Sequence, residues 1–345
     1  MPGDRAAIKL AVREVDLNRE REGLLRLLKS CLGADIDEHR LEWLYFANPH
    51  GHARVWLLED RETPIGVGAA IPRKLRMSRS QTRGCILSDF CVSSNYRSIG
   101  PALQLQRACL QAINGEWSQL AYDLPSVSML AVYKRLGIIA CASLARMAKP
   151  LRIDRQIRSR MKSSALSRVA NRVGNVALAA RDRVRPLDVN LQIQKHEEPF
   201  GEEFDVLFER VASKISNWIV DRSSAYLNWR FLEHPRTAFT IWTARRKGQL
   251  EAYAIIQKRE HDVQITELFG EDAPGVLESL VLSLADNARA ENVETLSLPI
   301  LNGHPWQRRL EETGFYVREM SPLVTYGGPA GSNKVGWLTD GDRDS

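Results

Sequence analysis

One short segment of the chain combines an acid, a thiol, an arginine and small residues in an order that can do chemistry. Residues 88–103 read SDFCVSSNYRSIGPAL, which predicts a strand, a short turn and the start of a helix. A glycine lets a ligand approach the main chain closely, and the first turn of a helix carries free N–H groups that attract phosphate. The segment therefore predicts a cradle for a pyrophosphate, formed by the main chain at residues 97–100 and at Ala102.

Three neighbours of this cradle refine the prediction. Pro101 has no N–H and removes one donor, although proline also suits an ordinary first helical turn. Cys91 has no histidine within twenty residues, so a buried thiol fits it better than a nucleophile. Asp89 shares one strand face with Leu87 and Cys91 if the side chains alternate. One interpretation of that acid is a hydrogen-bonded structural acid at the end of the strand.

The elements that must position this segment form an α+β (mixed α/β) pattern. An early antiparallel run of strands is followed by strands that alternate with helices. Strands are predicted at 8–15, 54–60, 64–77, 84–92, 119–124 and 141–151, and helices at 17–33, 99–114 and 126–137.

The chain also repeats itself. Residues 41–49 (LEWLYFANP) match residues 227–235 (LNWRFLEHP) at an offset of 186, so that Leu, Trp and Pro coincide. Further matches join 64–71 with 250–256, 86–92 with 264–270, and 133–138 with 310–315. Four matches in order predict a duplicated domain, with two unrelated α/β domains as the alternative. The predicted units are 1–150, a linker at 151–188, a second unit at 189–330 and a tail at 331–345.

The cradle resembles the motif V-x-x-x-x-[RQ]-x-x-G-x-[GA] of the GNAT superfamily of N-acetyltransferases. Val92 and Arg97 have that spacing, and Gly100 and Ala102 fill the two small positions. Residues 126–138 resemble the family helix N-x-x-A-x-x-L-Y-x-K-x-G-F. Its tyrosine and glycine are kept as Tyr133 and Gly137; the substituted positions are Ser126, Met129 and Ile138. The resemblance implies two GNAT-like domains, each a mostly antiparallel twisted sheet flanked by helices.

The resemblance also implies an activity. The first unit would bind acetyl-CoA as co-substrate, without a metal, through Cys91, Val92, Arg97, Ser98, Ile99, Gly100 and Ala102. In this family the amine attacks the thioester directly, which requires a base for the ammonium and an acid for the leaving thiolate. The base position matches Asp89, and the acid position matches Tyr133, for which a partly buried core tyrosine is the alternative. We expect a small-molecule amine as acceptor, with an amino sugar of bacterial cell-surface polysaccharide as the specific expectation.

Two other functions fit part of the pattern. An aminoacyl-transferase of the Fem type also has two GNAT-like units, but it uses charged tRNA and needs a basic groove, which the R-x-x-G-x-A cradle disfavours. A non-catalytic acyl-CoA sensor or scaffold would bind the coenzyme without releasing free CoA thiol.

The second unit is predicted to be a degenerate copy. No R-x-x-G-x-A follows Glu267, and the acids Glu271 and Asp272 would repel a diphosphate. Its closing helix carries Leu310 in place of the tyrosine. We therefore expect one coenzyme site per chain.

Composition excludes several classes of protein. The 345 residues are 44% hydrophobic and 26% charged, which is typical of a globular protein and not of a disordered one. There is no run of 18 apolar residues for a membrane span and no apolar core of a secretory signal at the start, so we expect a cytoplasmic location. The five cysteines form no CxxC pair, which predicts reduced thiols.

The excess positive charge lies in the linker. Residues 151–188 hold nine Arg and one Lys against three Asp, while the whole chain has a net charge of +6. Apolar residues at helical spacing make this segment either an interdomain helix or a docking element, which would make a weak contact with an anionic membrane at the inner face or bind an acidic partner. Its arginines have no aromatic neighbours for base stacking, so we expect no nucleic-acid partner.

Two smaller features are expected to be structural. His50 and His52 flank Gly51 in a predicted polar loop, and no acid or cysteine lies near enough in sequence to complete a metal site. The acids at 340–344 resemble the start of a calcium loop without its closing glutamate, so a solvated terminus is predicted.

Overall fold

The computed structural model describes residues 9–33, 35–77, 80–113, 117–154, 172, 174–180, 182, 188–328 and 335–343. The first half contains β1 (Leu10–Glu14), α1 (Arg21–Leu32), α2 (Glu38–Leu41), β2 (Arg54–Asp60), β3 (Thr63–Met77), β4 (Ser80–Val92), α3 (Ile99–Gln111), β5 (Leu120–Asp123), α4 (Val127–Arg135) and β6 (Ala142–Pro150). These elements confirm the predicted α+β pattern.

The second half runs through a similar succession. It contains β7 (Leu191–His196), α5 (Glu202–Ala212), β8 (Trp218–Val220), α6 (Ser224–Leu227), β9 (Thr240–Arg246), β10 (Gln249–Lys258), β11 (Asp262–Gly270), α7 (Val276–Ala290), β12 (Thr295–Leu301), α8 (Trp306–Glu312), β13 (Tyr316–Gly327) and β14 (Val335–Trp337). A short π-helical turn follows both α2 and α6, at Glu42–Phe46 and Asn228–Leu232, where the two sequence repeats match best.

The two halves share one sheet because their last strands are exchanged. The strand order is β1-β2-β3-β4-β5-β13-β6-β12-β11-β10-β9-β7. Strand β6 of the first half pairs with β12 of the second, and β13 of the second half pairs with β5 of the first. The exchanged strands also pair with each other. No sheet edge separates the halves, so main-chain hydrogen bonds run continuously from one to the other.

A pair of stacked tryptophans joins the halves a second time. The rings of Trp43 and Trp229 lie 4.9 Å apart and 19° from parallel. The indole N–H of Trp43 donates to the carbonyl of Trp229 at 2.8 Å, and that of Trp229 donates to the carbonyl of Trp43 at 2.9 Å. Each indole donates the same hydrogen bond as its counterpart, 186 positions away in the chain. The contact is therefore symmetric about the interface.

The prediction of a solvated terminus is wrong. Strand β14 pairs with β8, and a 3₁₀ turn follows at Asp340–Asp342. Asp342 is 1% exposed and its carboxylate accepts from Arg222 at 2.7 Å. An acidic sequence indicates a solvated segment only when no buried cation pairs with it. Here Arg222, from a distant part of the chain, is the buried cation that pairs with Asp342.

Most of the basic segment lies outside the described residues, including Arg155, Arg158 and Lys162. Within its described part, residues 174–180 are helical. The side chain of Asn175 bonds the main-chain N–H of Ile153 at 2.9 Å and the carboxylate of Asp154 at 3.0 Å. The later part of the segment thus folds back on its beginning. None of the described helices is long and apolar enough to cross a membrane.

Replacing Trp229 by alanine tests the interface. We expect Trp229→Ala to lower the free energy of unfolding by about 3–5 kcal/mol, because it removes a buried ring and one of the reciprocal hydrogen bonds. Urea unfolding followed by circular dichroism measures this change. Val206→Ala on the exposed face of α5 is the control and should shift stability by less than about 0.5 kcal/mol. Equal midpoints for the two variants would contradict the role given to the stacked pair.

Candidate functional site

A cleft opens where β4 and β5 part. The two parallel strands are paired only between Gly84–Ile86 and Leu120–Tyr122, although β4 continues for six more residues. A cavity of about 880 Å³ lies beyond this pairing. The ends of β4 and β5, the first turns of α3 and α4, the end of α1 and Arg343 all contribute to its wall.

A β-bulge interrupts β4 at the cavity. Ser88 lies opposite Ala69 and Cys91 lies opposite Val67, so two residues of β4 face one residue of β3. Asp89 adopts a left-handed conformation there, with φ of 48°. Such a bulge reverses the order in which side chains alternate along a strand.

The predicted common face for Leu87, Asp89 and Cys91 is therefore wrong. Leu87 packs in the hydrophobic cluster on the α3 and α4 side of the sheet, and Cys91 packs in the cluster on the α1 side. Strand alternation alone places residues i and i+4 on one face, but the extra residue of the bulge shifts everything after it by one position. This rearrangement brings both faces of β4 into contact with the cavity.

Asp89 is held by two partners from the α2 region. Arg40 donates to both of its carboxylate oxygens, at 2.9 and 3.0 Å, and the Tyr45 hydroxyl donates at 2.7 Å. The Asp89 side chain is 5% exposed. A carboxylate offers about four lone-pair positions, and these contacts of Asp89 with the described part of the chain occupy three of them.

The turn before α3 leaves two main-chain donors available. The N–H groups of Arg97 and Ser98 donate to carbonyls inside the turn, at 3.3 and 2.7 Å. Ile99 and Gly100, the first residues of α3, donate their N–H groups to no acceptor among the described residues, and Ser98 caps the helix without a side-chain bond. Of the predicted main-chain donors before Pro101, only those at the start of α3 therefore remain available. The Arg97 guanidinium lies 3.4 Å from the carbonyl of Val92.

Gly100 faces open space. A Cβ atom built on it would meet no protein atom within 4 Å, and its backbone does not require glycine. The fold itself thus has no need of a small residue at this position, whereas a ligand lying against the main chain would. Six of the seven predicted coenzyme-binding residues line the cavity, namely Cys91, Val92, Arg97, Ser98, Ile99 and Ala102, and Gly100 lies between the last two.

Tyr133 lies next to the cavity but does not line it. Its ring is fully buried, its hydroxyl donates to Asp123 at 2.8 Å, and Gln106 donates to that hydroxyl at 3.2 Å. Both of these partners line the cavity. Burial, together with the nearby charge of Asp123, raises the pKa of Tyr133 well above its usual value, so the hydroxyl stays protonated at neutral pH.

Cys91 is no activated thiol. Burial, reinforced by the adjacent Cys31, raises the pKa of Cys91 to about 12. A thiolate nucleophile needs the opposite shift, toward or below neutral pH. The geometry thus agrees with the sequence-based preference for a buried thiol.

His50 lies away from this cavity. Its Nε2 is 2.9 Å from Asp221, its Nδ1 accepts from the N–H of Lys74 at 3.1 Å, and its ring stacks on Tyr226. Burial lowers the pKa of His50, which agrees with a neutral ring that accepts a main-chain hydrogen bond. Among the described residues, no cluster of three or more His, Cys, Asp or Glu side chains is arranged to hold a metal ion.

The corresponding cleft of the second half is filled by the chain itself. Strands β11 and β12 pair only between Asp262–Gln264 and Thr295–Ser297. Beyond that pairing, Thr339 bridges Ile300 of β12 and donates its hydroxyl to Glu267 of β11 at 2.6 Å. This end of the chain occupies the place where a ligand would enter.

The predicted repulsion by Glu271 and Asp272 is not the reason for the difference between the halves. Glu271 pairs with Arg210 at 2.6 Å and with Lys214 at 2.5 Å, and Asp272 pairs with Arg309 at 2.5 Å. Cations thus compensate both acids.

Sequence reasoning did not identify the partners of the predicted residues. Arg40, Gln106 and Asp123 contribute to the site or hold its residues, yet each belongs to a segment without a motif. The acids around Arg343 predicted only a solvated terminus. Tyr45 alone carried a signal, since it lies in the repeated segment 41–49. Long-range pairs of this kind depend on the topology of the sheet and leave no local pattern.

Several solved structures have the same fold as this chain. The chain resembles a probable N-acyltransferase of unknown function from Enterococcus faecalis V583 (TM-score 0.66, 12% identity, 92% of this chain and 72% of that one). It also resembles GCN5-related N-acetyltransferases from Anabaena variabilis (TM-score 0.66, 14% identity, 91% and 72%) and Kribbella flavida (TM-score 0.62, 10% identity, 92% and 71%).

The chain has the same fold as these GCN5-related N-acetyltransferases, which agrees with the resemblance of its sequence motifs. The likeness extends over most of the chain and so includes both halves. The chain matches no protein-family model and no curated protein sequence.

Gly100→Glu tests the cradle at the start of α3. We expect acetyl-CoA to bind the wild-type chain and to bind this variant at least about 100-fold more weakly, because a carboxylate would lie where the diphosphate must approach. Isothermal titration calorimetry gives both affinities. Gly23→Glu makes the same substitution on α1, where a Cβ also meets no atom within 4 Å, and should bind normally. Unchanged affinity in Gly100→Glu, or equal loss in Gly23→Glu, would contradict the assignment.

Proposed function

We propose that the protein is an acyl-CoA-dependent N-acyltransferase that moves an acetyl group from acetyl-CoA to a primary amine. The observation that carries the proposal is the pair of unengaged N–H groups of Ile99 and Gly100 beside a cavity at the parting of β4 and β5. Such N–H groups attract a diphosphate, and the cavity continues from them toward Asp89 and Asp123. The fold of the structural neighbours supports acyl transfer in general.

In this proposal the first 150 residues form the catalytic unit. Residues 189–330 form a second GNAT-like unit without a coenzyme site, and 151–188 connect the two. The filling of the β11–β12 cleft by Thr339 and its neighbours supports a single site per chain.

We assign Asp89 as the base for the incoming ammonium. Three hydrogen bonds from Arg40 and Tyr45 fix the orientation of its carboxylate. The side chain also lines the cavity, so a proton can reach it without a rearrangement of the strand. The bulge that gives Asp89 its left-handed backbone sets the direction of the carboxylate.

We assign Tyr133 as the acid for the leaving thiolate. An acid must be protonated at the working pH, and burial raises the pKa of Tyr133 well above its usual value. Gln106 and Asp123 line the cavity and hold the hydroxyl directly behind its wall. Acetyl-CoA, when bound, supplies the thioester; the chain supplies the cradle, the base and the acid.

Two further parts of the proposal concern the acceptor and a contact with the membrane. An amino sugar of bacterial cell-surface polysaccharide is the proposed acceptor, and a weak contact of residues 151–188 with an anionic membrane would place the protein near lipid-linked substrates.

Binding of the intact protein to anionic vesicles at low salt, and its loss at high salt, tests the contact. Absence of the protein from sedimented anionic vesicles at low salt would make the segment a linker only.

Release of free CoA thiol tests the proposed activity. We expect acetyl-CoA to yield thiol in proportion to acetylated product when members of a panel of amino sugars, nucleotide-linked amino sugars and peptides are added. Calorimetry should give one coenzyme site per chain. Binding without thiol release for any amine would indicate an acyl-CoA sensor, and two equivalent sites would contradict the proposed division of roles between the halves.

Two substitutions test the proposed catalytic pair. Tyr133→Phe should keep the affinity for acetyl-CoA and lower kcat by about 10²–10⁴-fold, the usual contribution of a positioned acid. Asp89→Asn should lower the rate most at low pH, where the ammonium most needs a base. Steady-state rates from pH 6 to 9 provide both comparisons.

Matched controls come from the second half of the chain. Tyr253→Phe alters another fully buried tyrosine, and Asp262→Asn alters another acid paired with an arginine. Both should leave the rates within about twofold of wild type. Wild-type activity of Tyr133→Phe and Asp89→Asn across this pH range would remove the assigned roles from both residues.

A further inference from the structure

The segment from Val335 to Arg343 connects the two clefts of the molecule. Its strand β14 lies against β8, and Thr339 fills the β11–β12 cleft of the second half. Four residues later, Arg343 lines the cavity of the first half. A cation from the far end of the chain thus contributes to the wall of the candidate active site.

The position of Arg343 is fixed by buried contacts of its main chain. The carbonyls of Gly341 and Arg343 accept from the Arg230 guanidinium at 2.9 and 3.0 Å, and the Tyr122 hydroxyl donates to the carbonyl of Asp342 at 2.9 Å. Arg230 and Tyr122 are each 1% exposed. None of these bonds uses the Arg343 side chain, so all of them remain possible when the guanidinium is altered.

Arg343 approaches from the side of the sheet opposite the diphosphate cradle. Its anchor Tyr122 packs in the cluster that contains Tyr45 and Cys91, on the α1 side. Helices α3 and α4 pack in the other cluster, and the cradle begins α3. A diphosphate bound there would lie on the other face of the sheet, so Arg343 is placed for the second substrate.

The Arg343 guanidinium can bind an anion in addition to its acidic neighbour Asp340. Its Nε lies 3.0 Å from Asp340, but Nη1 and Nη2 contact no acceptor among the described residues. The two acids that line the cavity are already engaged, Asp89 with Arg40 and Asp123 with Tyr133. The two uncommitted nitrogens of a guanidinium form a planar fork that matches a carboxylate or a phosphate.

We propose that the amine acceptor carries an anionic group, a carboxylate or a phosphate, and that Arg343 binds this group. Arg343 is then a specificity-determining residue, which contributes to binding of the acceptor and takes no part in proton transfer. This inference rests on the proposed N-acyltransferase function and names the class of its acceptor.

Acceptors in matched pairs test the inference. Glucosamine against glucosamine 6-phosphate, and 4-aminobutyramide against 4-aminobutyrate, differ chiefly in the anionic group. We expect kcat/KM of the intact protein with acetyl-CoA to favour an anionic member by about 10- to 100-fold, the usual range for a hydrogen bond to a charged group. The pair that shows the preference identifies the anion as phosphate or carboxylate.

Arg343→Gln should abolish this preference, mainly through a higher KM for the anionic acceptor. Its rate with the neutral members and its affinity for acetyl-CoA should stay unchanged, which separates lost recognition from misfolding. Arg308→Gln, an exposed arginine on α8, is the matched control and should keep the preference.

Equal kcat/KM within both pairs, or a preference that survives in Arg343→Gln, would overturn the inference while acetylation of neutral amines upheld the acyltransferase. Acetyl-CoA that neither binds nor yields thiol with any acceptor would overturn both.

Discussion

The architecture of each half depends on two parallel strands that are hydrogen-bonded to each other over only a short length. Strands β4 and β5 share hydrogen bonds over only three residues, and β11 and β12 do the same in the second half. Main-chain groups beyond such a pairing need other partners, because buried N–H and C=O groups are costly to leave unsatisfied. In the first half, a cavity lies beyond the pairing. In the second half, Thr339 pairs with Ile300 of β12 at the corresponding place.

The bulge at Asp89 adapts β4 to that cavity. A left-handed backbone is unfavourable for residues other than glycine by about 1–2 kcal/mol, although aspartate tolerates it better than most. The bidentate contact with Arg40 and the bond from Tyr45 stabilise the carboxylate in this conformation. The same contacts that orient the acid therefore also help to maintain the strand geometry that delivers it to the cavity.

Local patterns in the sequence predict the elements well and their long-range partners poorly. Strand β2 has the predicted bounds of 54–60, because its alternation and flanking turns are local signals. The predicted face of Asp89 failed because a one-residue bulge inverts alternation without changing composition. The position of Arg343 and the exchange of β6 with β13 depend on contacts between residues far apart in the chain, and no spacing rule predicts such contacts.

The two halves place related acids in different surroundings. Glu267 matches Asp89 in the repeat, and both accept hydrogen bonds from an arginine and a hydroxyl: Arg222 and Thr339 for the glutamate, Arg40 and Tyr45 for the aspartate. Glu267 is fully enclosed, and burial raises its pKa to about 7.

A buried ionic cluster of this kind adds little net stability, since desolvation offsets most of the attraction, but it can specify one arrangement of the chain. Here the arrangement specified is the path of Thr339 to Arg343, which ends at the cavity of the other half. On the proposed function, the second half holds a part of the chain where a ligand would otherwise bind. That part of the chain shapes the acceptor site of the first half.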